Sequence, residues 1–157
     1  MKTVTITAEE ETEILAVIRT LKQVVEEAGE DYIYKPKSSG CSYEDESGYL
    51  HASPPGCVYV WDGKPDCIAA RVLHKLGMSL ERLRCFESST CAQMIDQVGV
   101  PIHEAALIVL GIAQHVQDTG TSVLFVEQSP EVTKSYTWGV ARDAAIKYAN
   151  TEYGVRA

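Results

Sequence analysis

A chain of 157 residues, 45% hydrophobic and 23% charged, has the size and composition of a single globular domain, 1–157, built around one core. No apolar run reaches the ~20 residues that cross a bilayer, and the acidic, polar opening KTVTITAEEETE is unlike a secretory or transit peptide, so a cytoplasmic protein with no membrane partner is expected. The formal charge of −8 is unevenly placed: residues 1–53 carry eleven acids against five bases, a surface that repels polyphosphate at long range and disfavours nucleic acid as a general partner.

Taken in order, residues 3–7 alternate β-branched residues and suit a short edge strand, while Thr7 with Glu10 forms a capping box for a following helix. Ile14, Val17, Ile18, Leu21, Val24 and Val25 then recur at helical spacing as far as about Glu27, and Gly29 stops the helix. Glu9, Glu10 and Glu11 place negative charge at its positive end. YIY at 32–34 is a candidate strand, and 35–56, rich in Pro, Ser, Gly and acids, is expected to be an irregular loop.

Cys57 to Trp61 reads as a strand with Val58 and Val60 on one face and Cys57, Tyr59 and Trp61 on the other. Asp62-Gly63 signals a turn, and Pro65 is suited to the opening of a helix. Ile68, Ala69, Val72, Leu73 and Leu76 form its apolar stripe, leaving Arg71, His74 and Lys75 towards solvent. Gly77 supplies the left-handed residue after it, Ser79 caps the next helix, and Met78 with Leu83 forms a hydrophobic staple.

Ser88, Ser89 and Thr90 mark a further break before a short helix through Met94 and Ile95. Pro101 is expected to open a long helix dense in apolar residues, including Ala105, Val109, Ile112 and Val116, and therefore central. Gly120 ends it. Residues 121–126 (TSVLFV) read as a strand, Ser129-Pro130 as a helix start, and Val132, Tyr136, Val140, Ala144 and Tyr148 as the ladder of a last helix, with a break at Gly139. Five or six helices with a few short strands make a helix-dominated α+β domain.

Several stretches, Gly56-Cys57-Val58-Tyr59, Gly63-Lys64-Pro65 with Cys67-Ile68, Val72-Leu73-His74-Lys75-Leu76-Gly77, and Ala113-Gln114 with Gln117-Asp118-Thr119-Gly120, resemble elements of small uncharacterised proteins of actinobacteriophages and actinobacteria. The resemblance implies a phage or prophage origin, hence the host cell cytoplasm, and no known activity.

Three kinds of chemistry can be placed on particular residues. Cys41, His51, Cys57 and Cys67 are a set that could hold zinc, although they lack close Cys-x-x-Cys pairs. With no secretory signal, the five cysteines read as reduced thiols. Cys67, in the first turn of a helix, has the dipole that favours a thiolate, with His51, His74 or His103 as its base. Buried cysteine acting as a small hydrophobe is the competing reading, and no Cys-His signature selects catalysis. Residues 72–83 have the rhythm of a helix-turn-helix, with Arg71, Lys75, Arg82 and Arg84 as nucleic-acid contacts; Leu73 stands where such a motif needs a small residue.

Phosphate loops and paired carboxylates are absent from the sequence. The tyrosines crowding its first half, with Ser and Gly among them, have the composition of an adaptable binding surface. The expected function is accordingly non-catalytic protein–protein binding to a host or phage protein. Its surface is the segment 32–61, with Tyr43, Tyr49 and Tyr59, and the acidic face of the first helix. A DNA-binding regulator, and a zinc-binding or thiol-dependent protein, are the alternatives; no other cofactor is expected.

Overall fold

The computed structural model describes residues 4–35, 42–44, 46–52, 58–87, 89–121 and 135–157, with the backbone alone for 42–44 and 50–52. Within them lie five α-helices, one 3-10 turn and two short antiparallel hairpins, the helix-dominated α+β domain expected from the sequence.

Helix α1, Ala8–Ala28, begins at the expected capping box: Thr7 Oγ1 accepts from the Glu10 amide and Glu10 Oε1 accepts from the Thr7 amide, both at 3.1 Å. Of the edge strand expected at 3–7, the described residues 4–7 form no strand, and the Val4 amide donates to the carbonyl of Glu152. All six residues of the apolar stripe, from Ile14 to Val25, are buried. Burial of each such side chain contributes about 1.5–3 kcal/mol, and α1 is thereby fixed against three other helices.

Among the described residues the YIY segment makes an isolated antiparallel bridge, Ile33 to Thr137, in place of a strand. The region expected to be irregular contains a hairpin, with β1, Ser42–Glu44, paired to β2, Leu50–Ala52, so that Tyr43 lies opposite His51.

A second hairpin joins β3, Val60–Trp61, to β4, Lys64–Pro65. Asp62 and Gly63, at φ 53° and 72°, make a type I′ turn, whose twist matches that of paired strands. Two expectations are corrected here. Pro65 lies in a strand and does not open a helix: the Asp66 and Cys67 amides still donate to the Tyr59 and Val58 carbonyls, so the chain remains extended until Cys67, the N-cap of α2, Ile68–Lys75. Nor do the strand residues alternate in burial. Val58, Tyr59 and Val60 are all buried while Trp61 is 46% exposed, because the chain crosses the interior before emerging at the turn.

Helix α2 ends in a Schellman motif, with the Gly77 amide on the His74 carbonyl and the Met78 amide on the Leu73 carbonyl; Gly77 has φ 110°. Ser79 Oγ caps α3, Leu80–Arg84, by accepting from the Arg82 amide, and the staple residues Met78 and Leu83 are both buried. Beyond Thr90 the expected short helix is a 3-10 turn, Cys91–Met94.

Helix α4, Glu104–Thr119, starts three residues later than Pro101, with His103 as N-cap, and ends at Gly120. It is the central helix, in contact with α1, α2, the 3-10 turn and α5, Trp138–Tyr153. The strand expected at 121–126, the helix start at Ser129-Pro130 and Val132 lie outside the described residues beyond Thr121. Tyr136 precedes α5, and Val140 is exposed; of the expected ladder Ala144 is buried, on a face it shares with Trp138, Ala141, Ala145 and Ala149, whose alanines let α5 approach α4 closely. The helix is continuous through Gly139, whose lack of a side chain accommodates the Glu30 carbonyl.

Candidate functional site

The region that gathers polar chemistry surrounds the β3–β4 hairpin. On its inner side, Tyr59 is fully buried. Its hydroxyl donates to the Ser89 carbonyl and accepts from Gln114 Nε2 at 3.0 Å, and its amide donates to Glu87 Oε1 at 2.6 Å. Gln114 Oε1 accepts from the Cys91 amide at 3.1 Å, and three residues on, Gln117 Oε1 accepts from the Ile68 amide at 2.9 Å. Two buried glutamines of α4 thus satisfy amides at the starts of α2 and of the 3-10 turn, which Cys67 and the Thr90 side chain leave open.

Tyr34 occupies the adjoining interior. Its hydroxyl donates to Asp66 Oδ2 at 2.7 Å and accepts from the Val58 amide at 3.0 Å; burial and the neighbouring Asp66 carboxylate push the phenol well above its ordinary range. Burial likewise raises the Glu87 carboxyl, opposed by the amides of Tyr59 and Val60.

On the outer side the hairpin, the C-terminal part of α1 and the outer face of α2 enclose an open cleft of about 520 Å³. Trp61 and Lys64 border it from the hairpin, Glu27 from α1, and Arg71, His74 and Lys75 from α2. Lys75 pairs with Glu27 at 3.1 Å. His74 Nδ1 lies 2.9 Å from the Met78 carbonyl; a carbonyl only accepts, so Nδ1 carries the proton and Nε2 is left as the acceptor of the neutral ring. Arg71 is half-buried rather than directed to solvent. Its guanidinium lies 4.7 Å from the centre of the Trp138 ring and 5.7 Å from that of Tyr32, and Nε donates to the Asp66 carbonyl at 3.0 Å.

The candidate surface tyrosines separate. Tyr59 is core, a correction that follows from its hydroxyl having two interior partners. Tyr49 is 66% exposed, and nothing is described of the Tyr43 side chain. Three of the four basic residues have partners within the molecule: Arg71 lies over aromatic rings, Lys75 is paired with Glu27, and Arg82 donates to the Val98 carbonyl and lies over Phe86. Arg84 is exposed, and α3 is only five residues long.

Of the thiol and metal candidates, Cys41 and Cys57 lie outside the described residues, and for His51 only the backbone is described. Cys67 is fully buried at the N-cap of α2. Among the described residues no three His, Cys, Asp or Glu side chains converge as metal ligands, and no helix is long and apolar enough to cross a membrane.

No protein-family model matches this chain, and neither a curated protein nor a solved structure matches it.

Sequence reasoning missed the cleft because its walls come from separate elements. Trp61 was legible as a strand residue before a turn; its companions Glu27 and His74 read as ordinary solvent-facing positions. Gln114 and Gln117 carried a usable signal, two amides inside the most apolar helix, where burial demands partners.

Proposed function

We propose that this protein acts by non-catalytic binding to another protein, as an accessory protein of phage or prophage origin working in the host cytoplasm. The binding surface is the cleft between the β3–β4 hairpin and α2, together with the exposed Tyr49. The observation that carries the reading is Trp61, 46% exposed at the border of an open cleft on a hairpin whose turn and flanking amides fix its position. A tryptophan held rigidly and partly exposed loses little freedom on binding and is the residue type that most often dominates an interface. The origin rests on the resemblance of Gly56-Cys57-Val58-Tyr59, Gly63-Lys64-Pro65 with Cys67-Ile68, Val72 to Gly77, and Ala113-Gln114 with Gln117-Asp118-Thr119-Gly120 to phage and actinobacterial proteins.

The test is affinity capture from actinobacterial lysate with the intact chain and with Trp61→Ala, after both are shown to have the same thermal unfolding. A partner retained by the intact chain and lost on Trp61→Ala is the expected result. Failure to retain any partner, or retention unaffected by Trp61→Ala, would overturn the proposal.

A further inference from the structure

The protein-binding reading leaves open what chemistry the cleft selects, and Arg71 addresses that question. Its guanidinium is held before any ligand arrives, set over the Trp138 and Tyr32 rings and anchored through Nε to the Asp66 carbonyl. Among the described residues no partner engages its Nη atoms, and the side chain borders the cleft. An immobilised guanidinium with its outer donors unpaired is the arrangement that receives a carboxylate through two parallel hydrogen bonds. The contact with the two rings occupies none of the Nη donors with a hydrogen-bond acceptor, and the ordering cost of a long side chain is already met by the fold.

The neighbouring charges narrow the ligand further. Lys75 is neutralised by Glu27, and the remaining base, Lys64, is balanced by Asp62 at the same turn, both exposed. Asp66 is engaged by the Tyr34 hydroxyl. The cleft therefore has no net positive field to gather a polyanion from a distance. Recognition of a negative group depends on the short-range geometry of Arg71, which suits one carboxylate, while Trp61 beside it offers an apolar face.

We propose, resting on the protein-binding reading above, that Arg71 is a carboxylate-binding residue. The partner segment seated in this cleft presents one aspartate or glutamate to Arg71 and an adjacent apolar side chain to Trp61.

The experiment follows the Arg71 Nε–H and Trp61 Nε1–H signals of the full ¹⁵N-labelled chain in two-dimensional NMR. The probes are the blocked dipeptide acetyl-Phe-Glu-amide, its glutamine counterpart acetyl-Phe-Gln-amide, and inorganic phosphate. Saturable movement of both signals with the glutamate peptide, and little movement of Arg71 with the glutamine peptide, is expected. Arg71→Lys keeps the charge and loses the fork, and should weaken the glutamate peptide on the order of tenfold. Equal response to the two peptides, or phosphate engaging Arg71 more tightly than the glutamate peptide, overturns the assignment. If Arg71→Lys fails to fold, the Arg71 signal of the unaltered chain still decides. Loss of partner capture on Trp61→Ala together with no response to the glutamate peptide removes the carboxylate assignment and leaves the protein-binding surface standing.

Discussion

The side chain of Gln117 accepts the backbone amide of Ile68 at 2.9 Å, so the start of α2 is closed by a residue forty-nine positions away on α4. Replacing Gln117 with leucine keeps the volume and leaves that buried amide without an acceptor. The expected cost is about 1–3 kcal/mol. Urea unfolding should show a lower midpoint with an unchanged slope; an unchanged midpoint would show that water or another acceptor serves Ile68 equally well.

Tyr59→Phe removes only a hydroxyl, but that hydroxyl joins the Ser89 carbonyl to Gln114. Stability should fall by about 1–2 kcal/mol, read as a lower unfolding temperature. Partner capture should be unchanged, because Tyr59 is interior. Reduced capture by a chain that remains folded would return this residue to the binding surface.

Gly139→Ala separates two opposing effects. Alanine is preferred over glycine in a helix by about 1 kcal/mol, yet a Cβ here would stand 2.9 Å from the Glu30 carbonyl oxygen. That oxygen cannot withdraw without breaking the hydrogen bond it accepts from the Gly139 amide at 2.9 Å. Net destabilisation of about 1–2 kcal/mol is expected, measured by thermal unfolding; a stabilised variant would mean that the turn after α1 yields easily.

His103 and Glu13 tie the start of α4 to α1. Glu13 Oε2 meets His103 Nδ1 at 2.7 Å and Oε1 accepts the His103 amide at 2.8 Å. The hydrogen bond to Glu13, with its charge, raises the imidazole above its ordinary value of 6.5. A raised folded-state value means that the protonated imidazole favours the fold. Its contribution is full below about pH 6.5, while Glu13 stays ionised, and is lost as pH climbs through the folded-state value. The stability difference between the unaltered chain and His103→Gln should therefore shrink from pH 6 to pH 9. A difference that grows over this interval would reverse the assignment.

Duplex DNA provides a separate check on the basic residues. With Lys75 and Arg82 engaged within the molecule and the charges bordering the cleft beside Arg71 balanced, fluorescence anisotropy at low salt should show no binding that weakens steeply as salt rises. A steep salt slope, reduced by charge removal at Arg84, would establish a phosphate-contacting face instead.

Local chemistry made much of the fold readable. The Thr7–Glu10 box, Gly77, the Ser79 cap with the Met78–Leu83 staple, and Gly120 act over a few residues, and each is found where the sequence places it. The misread positions depended on long-range contacts. Pro65 was compatible with a helix start by its own φ, and only the Asp66 and Cys67 amides reaching back to 59 and 58 keep it extended. Tyr59 was assigned to a surface by the tyrosine-rich composition of its segment, which says nothing of what covers each ring; Gln114 and Ser89 enclose this one. The stripe expected for the last helix holds at Ala144 and fails at Val140, because the buried alanines that share its face carry little hydrophobic signal, although close approach to α4 favours them. The cleft was illegible for the related reason that Glu27, Trp61 and Arg71 belong to three elements whose apposition no local pattern encodes.

The contrast between the two tryptophans gives the molecule a built-in optical readout. Trp138 is fully enclosed, its indole N–H without an acceptor among the described residues and a guanidinium against its ring, whereas Trp61 is partly exposed beside the cleft. With only these two in the chain, Trp61→Phe isolates an emitter that reports whether the interior is intact, and Trp138→Phe isolates one that reports whether the cleft is filled. Folding and occupancy can thus be followed as separate colours of intrinsic light, without attaching any dye.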